Sequence, residues 1–150
     1  MSVRGISHVA VGVSHMDRAL AFYRDIIGLR VTLDTEEGAF SDDAGSFRRR
    51  AVYLRHQDGP DEFFIVLDQL LDPEPFGKPP RILQLGTHHF SFWVDDLIDV
   101  FERAVAEGFR PVLAPTEAKA AAYGETGSGR ILTAILKDQD GNPVQLDQRL

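Results

Sequence analysis

His8-Val9-Ala10-Val11-Gly12-Val13 and His89-Phe90-Ser91-Phe92-Trp93-Val94 are two versions of one strand, each opened by a histidine. Each runs into a helical pattern that closes on a Gly-x-Arg step, Gly28-Leu29-Arg30 and Gly108-Phe109-Arg110. Each half of the chain then ends on the same triplet, Leu67-Asp68-Gln69 and Leu146-Asp147-Gln148. The three landmarks recur in the same order about 80 positions later, which is the signature of a duplicated module. Two histidines made equivalent by that duplication are a natural start for a metal site.

Composition narrows the options. With 150 residues, 43% of them hydrophobic and 26% charged, the chain has the size and balance of one globular domain with a proper core. A net charge of −7 argues against the basic face that nucleic acid requires, and the one basic run, Arg48-Arg49-Arg50, is too short to supply it. The absence of cysteine removes disulfides, thiolate nucleophiles, iron–sulfur clusters and Cys-type zinc sites. Met1-Ser2-Val3-Arg4-Gly5 lacks the apolar run of a signal peptide, and nothing later is long enough to span a bilayer. The expectation is a cytoplasmic protein with no membrane and no nucleic-acid partner.

Periodicity gives the elements. Residues 3–13 read as a strand, and Met16 to Ile27 as a helix, with Ser14 at its N-cap and Gly28 just past its end. Leu29 to Asp34 is a strand, and Thr35 to Ser46 a polar loop long enough to serve as a lid. Arg49 to Arg55 and Glu62 to Asp68 are strands joined by a turn at Asp58-Gly59-Pro60. Asp72 to Pro80 holds four of the eight prolines and separates the copies. The second copy repeats the order: a strand over Thr87 to Val94, a helix capped by Asp95, a strand over Phe109 to Leu113 and a loop over Pro115 to Ser128. It closes with a hairpin of Arg130 to Lys137 and Pro143 to Gln148, turned at Asp140-Gly141-Asn142. The fold class is α+β. Two tandem βαβββ modules (about 3–70 and 85–150, linker about 71–84, one domain over 1–150) form a curved mixed sheet around a central cavity, with helices outside.

Alternation assigns the faces. Val9, Val11 and Val13, like Phe90, Phe92 and Val94, belong under a helix, whereas His8 and His89 lie on the smaller, more polar faces. His88 falls on the helix side and reads as structural. On the closing strands Phe64, Val66 and Asp68 share the inner face, as do Pro143, Gln145 and Asp147, and the repeat sets Gln145 opposite Val66.

These stretches resemble the vicinal oxygen chelate superfamily, which includes glyoxalases, extradiol dioxygenases, epimerases, and fosfomycin and bleomycin resistance proteins. The best local matches are Ile6-Ser7-His8-Val9-Ala10-Val11, His89-Phe90-Ser91-Phe92-Trp93-Val94-Asp95-Asp96, and Lys137-Asp138-Gln139-Asp140-Gly141-Asn142-Pro143-Val144-Gln145-Leu146. By position, the resemblance implies His8, His89 and Gln145 as ligands of a divalent metal ion (Fe, Mn, Ni or Zn), with Val66 at the fourth place. The usual residue at position 145 is glutamate. An amide oxygen can ligate a metal but brings no charge, so glutamate at this position is expected to hold the ion more tightly. The implied activity is that of a metal-dependent lyase, isomerase or dioxygenase. Its metal acts as a Lewis acid on a small molecule with vicinal oxygens. The alternatives are a metal-free protein that sequesters a ligand, as bleomycin-resistance proteins do, and a module with a regulatory or interaction role. A homodimer is expected, because exposed sheet edges need cover.

Other residues complete the candidate set. The resemblance places a tyrosine of the dioxygenase signature where Ile135 stands, so Tyr123 and His56 become the candidate acid–base groups. Tyr123 is expected to donate to a bound oxyanion from a loop that orders over the ligand. Arg49 and Arg130, and with them Arg55, are candidates for holding an anionic part of the substrate. Phe64 and Trp93 are candidate substrate contacts; Trp93 either stacks on a planar ligand or fills the sheet's inner face.

Overall fold

The computed structural model of the chain describes residues 3–38 and 45–150, in two compact units, Met1–Gly77 and Lys78–Leu150. The first unit contains β1 (His8–Gly12), α1 (Met16–Leu20) continued by a π-helical segment (Ala21–Ile26), β2 (Arg30–Gly38), β3 (Arg48–Arg55) and β4 (Phe64–Asp72). The second contains β5 (Phe90–Trp93), α2 (Leu97–Ala106), β6 (Arg110–Lys119), a 3-10 turn (Ala120–Tyr123), β7 (Arg130–Lys137) and β8 (Pro143–Arg149). Each unit forms its own four-stranded mixed sheet, in the orders β1-β4-β3-β2 and β5-β8-β7-β6. In both, the first strand pairs parallel with the last and the other pairings are antiparallel. The α+β tandem-module architecture is thus present, copy for copy.

The repeated triplet explains how each copy is built. Leu67 and Leu146 are fully buried, each removal of such a side chain from water contributing about 1.5–3 kcal/mol. Gln69 and Gln148 reach across to the helices: their Oε1 atoms accept the backbone N–H groups of Met16 and Leu97, both at 2.9 Å. The carbonyls of Asp68 and Asp147 accept Val13 N–H and Val94 N–H, again both at 2.9 Å. The two outer residues of the triplet thus serve the helix side, and the aspartate between them faces the other way.

Local signals set the helix ends only in part. His15, not Ser14, occupies the N-cap of α1, with no side-chain cap, because Gln69 of β4 serves that first turn from a distance. Asp96, rather than Asp95, caps α2 by accepting Asp99 N–H at 3.1 Å. At the other end Gly108 has φ +89°, and its N–H and that of Phe109 bond back to Val105 and Ala104, the paired bonds of a Schellman motif. Gly28, at φ +88°, likewise returns its N–H to Arg24.

Strand lengths depart from expectation at both extremes. β1 spans only His8–Gly12, not residues 3–13, and β5 starts at Phe90, leaving His88 and His89 just before it. Phe90 pairs with Val144, so the next partner along β8 is Pro143, which has no N–H to extend the ladder. Elsewhere strands replace expected loops. β2 continues through Thr35–Gly38 because its acids meet the basic run of β3: Arg50 pairs with Asp34 at 2.7 Å and Arg49 with Glu37 at 2.8 Å. Of the rest of that expected loop, residues 39–44 lie outside the described residues. β6 absorbs Pro115 to Lys119, with Glu117 paired to Arg130 at 2.8 Å, and Ala120–Tyr123 is a 3-10 turn. β4 likewise runs to Asp72, into the expected linker.

The hairpin between β7 and β8 is closed by Asp138. Its Oδ1 accepts the backbone N–H groups of Asp140, Gly141 and Asn142, and its Oδ2 accepts the Asn142 side chain.

Candidate functional site

The inner face of the first unit carries His8, Phe64, Asp68 and Arg49. The His8 ring stacks on Phe64, with centroids 4.9 Å apart and planes 17° apart, and its Nδ1 lies 2.9 Å from Ser7 Oγ. Arg55 covers the Phe64 ring at 4.2 Å. Phe64 is therefore enclosed between an imidazole and a guanidinium. Arg49 joins Asp68 and Glu37, each at 2.8 Å, so its charge is already matched. Burial pushes the Asp68 carboxyl above the usual range, and the nearby Arg49 charge opposes that rise. Val66, the fourth position of the repeat, is buried and offers no donor. His56 sits on the exposed turn after β3, with Nε2 3.9 Å from a Glu62 oxygen.

The second unit holds the denser cluster. Asp147, only 3% exposed, lies at its centre. Tyr123 Oη donates to Asp147 Oδ1 at 2.6 Å, and Ser91 Oγ donates to Oδ2. Gln145 Nε2 lies 3.0 Å from both carboxylate oxygens and 3.3 Å from Tyr123 Oη. The phenol gives its proton to Asp147 and accepts one from the amide. Burial, with the Asp147 bond next, pushes the Tyr123 phenol above its ordinary value, so it stays protonated. The expected role of Tyr123 as donor to a bound oxyanion must therefore compete with Asp147.

His89 precedes this cluster. Its Nδ1 lies 2.7 Å from Nδ1 of His88. Burial, then the neighbouring His88, lowers the His89 pKa and keeps its imidazole neutral. Trp93 is 55% exposed, with the Arg149 guanidinium 4.6 Å from its ring centroid and Tyr123 6.3 Å away, ring to ring. Glu125 grips Arg149 through two bonds of 3.0 and 2.7 Å. Arg130 is exposed and bound to Glu117.

Within the second unit, then, Trp93, Tyr123 and Gln145 gather around Asp147, while Arg130 is engaged elsewhere. Sequence reading placed Asp147 on the inner face but gave it no role; its signal was the repeated triplet, in which it is the inward letter. Arg149 and Ser91 carried no such signal. Among the described residues, no group of three or more His, Asp or Glu side chains is placed to hold a metal ion. A ligand set of two histidines and an amide falls outside that count.

A sequence profile of the Glyoxalase/Bleomycin resistance protein/Dioxygenase superfamily matches residues 5–146. No curated protein matches by sequence. Among solved structures, a glyoxalase family protein from Bacillus cereus superposes with a TM-score of 0.74 at 17% identity, covering 100% of this chain and 99% of that one. Glyoxalase I of Leishmania major, described as trypanothione-dependent, gives 0.64 at 14% identity over 96% and 86% of the two chains. TnmS3, an antibiotic-binding protein from Streptomyces sp. CB03234, gives 0.59 at 20% identity over 100% and 99%. These likenesses are of fold, and the fold is shared by enzymes and a binding protein alike. With the profile spanning nearly all of both repeats, the chain belongs to the Glyoxalase/Bleomycin resistance protein/Dioxygenase superfamily.

Proposed function

We propose that this protein is a divalent-metal-dependent enzyme acting on a small molecule with two adjacent oxygens, and that His8, His89 and Gln145 are its metal ligands. The observation that carries this reading is the state of their donor atoms. His8 and His89 each have Nδ1 engaged by the preceding residue, which leaves Nε2 to ligate. Gln145 has its nitrogen engaged by Asp147, which leaves Oε1. Histidines that bind metals commonly have the second ring nitrogen held in this way. Two imidazoles and an amide oxygen suit a first-row ion such as Fe, Mn, Ni or Zn. Such an ion, when bound, supplies Lewis-acid polarisation of the substrate's adjacent oxygens.

The chain's own residues supply the rest of the proposal. Tyr123 holds a proton at Oη beside Gln145, and Trp93 offers its exposed face to a planar part of the substrate, with Phe64 as the matching contact in the first unit. His56 is the remaining acid–base group, on an exposed turn. Arg49 and Arg130 can serve an anionic substrate only by releasing Asp68, Glu37 or Glu117. We also propose a homodimer that covers edge strands, for which light scattering at micromolar concentration expects twice the monomer mass.

Calorimetric titration with Mn²⁺, Fe²⁺, Ni²⁺ and Zn²⁺ tests the metal. Binding of at least one ion, weakened about tenfold or more by His8→Ala and by His89→Ala, is the expected result. No binding of any ion overturns the reading.

The exposed Trp93, braced from one side by the fixed Arg149, favours a second reading as a metal-free ligand-sequestering protein. Binding of catechols, 2-oxo acids or glutathione hemithioacetals that persists in chelator, without turnover, distinguishes it.

A further inference from the structure

A side-chain amide has two ends of similar shape and opposite polarity, so a ligating glutamine must be told which end to present. Gln145 and Asp147 sit two residues apart on β8, on one face, and the glutamine nitrogen lies 3.0 Å from both oxygens of the carboxylate. An ionised carboxylate only accepts. Turning the amide over would set its oxygen against both Asp147 oxygens and the Tyr123 oxygen. Asp147 cannot swing away, because Tyr123 holds Oδ1 and Ser91 holds Oδ2, and the residue is 3% exposed.

We propose that Asp147 is the positioning residue for Gln145: it locks the amide so that Oε1 is the atom presented outward, and it excludes a glutamate from position 145. This rests on the metal reading of Gln145 in its first half only; the exclusion of glutamate follows from the contacts alone. A carboxylate at 145 would bring an oxygen within about 3 Å of a buried carboxylate, where like charges in poor solvent repel strongly. From sequence alone, Gln145→Glu should tighten metal binding; with Asp147 in place it should not.

The test is a cycle of Gln145→Glu, Asp147→Asn and the double variant, read by Mn²⁺ calorimetry and by melting in chelator. Asp147→Asn is expected to weaken Mn²⁺ binding about tenfold or more, since asparagine tolerates either amide orientation. Gln145→Glu alone should bind Mn²⁺ no more tightly than the natural chain and should melt about 3 °C or more lower in chelator. The double variant should recover that melting temperature and bind Mn²⁺ about tenfold more tightly than the natural chain. Equal tightening by Gln145→Glu with and without Asp147→Asn overturns the proposal, as does unchanged affinity in Asp147→Asn. If the natural chain binds no divalent ion, the metal reading falls, and the melting cycle alone decides: additive shifts overturn the exclusion of glutamate, and non-additive shifts uphold it. Should Asp147→Asn fail to fold, Gln145→Glu is compared with the near-isosteric Gln145→Met in chelator. The glutamate variant is expected to melt lower, and the reverse order overturns the proposal.

Discussion

Gln148 Oε1 accepts the N–H of Leu97, so the last strand of the second unit caps the first turn of its own helix at 2.9 Å. Gln69 does the same for Met16 in the first unit. A helix start normally relies on a local side chain, and here a residue some fifty positions away along the chain replaces it.

Removal of this remote cap has a defined cost. Gln148→Ala should lower stability by about 0.5–1.5 kcal/mol, the worth of one partly buried hydrogen bond. Gln148→Glu keeps the acceptor and adds charge at a helix N-terminus, and should restore most of the loss. Denaturant melts of the three proteins check both directions.

Gly108→Ala isolates backbone strain. A Cβ at this position meets nothing within 4 Å, yet φ is +89°. The expected loss is about 1–2 kcal/mol, from conformation and not from collision. Chemical denaturation measures it, and an unchanged midpoint would refute the argument.

Leu146→Ala should cost more. The side chain is fully buried, and its removal leaves a cavity, for an expected loss of about 2–5 kcal/mol. The same change at Leu67, its equivalent, should fall in the same range, and the two melts can be compared directly.

Asp34 supplies a pH signature. Its hydrogen bond from Arg50 holds the carboxyl below the ordinary 3.8, against the effect of burial. A carboxyl depressed in the folded state adds stability above its unfolded value, and that stability is lost as pH falls through the folded value. Asp34→Asn should therefore cost about 0.5 kcal/mol at pH 7, a figure kept small because the pair is partly exposed. The gap from the natural chain should close on acidification below the ordinary aspartate range. Melts from neutral pH to about pH 3 would show it.

What could be read from sequence was whatever one strand or one turn decides by itself. Alternation placed Val11 and Val13 in the core and left His8 and Ala10 outside it. Gly28, Gly108 and the Asp140-Gly141-Asn142 turn stood where expected. Misreadings arose where a partner strand decides. The acids of β2 look like a loop until the arginines of β3 are placed opposite them, and His89 looks like part of a strand until Pro143 is set beside it. The same holds for the site. Parity put Gln145 and Asp147 on one face, but the bond from Tyr123 to Asp147 joins residues 24 positions apart, and no local pattern predicts it.

Asp138, by closing the β7–β8 turn on three successive amides, gives β8 a single phase. A strand that left this turn one residue out of step would carry Val144 and Leu146 inward and drive an amide and a carboxylate into the packing beneath α2. The turn therefore works as the zero mark from which the inner face is counted, and an error there would erase a site made of residues it never touches.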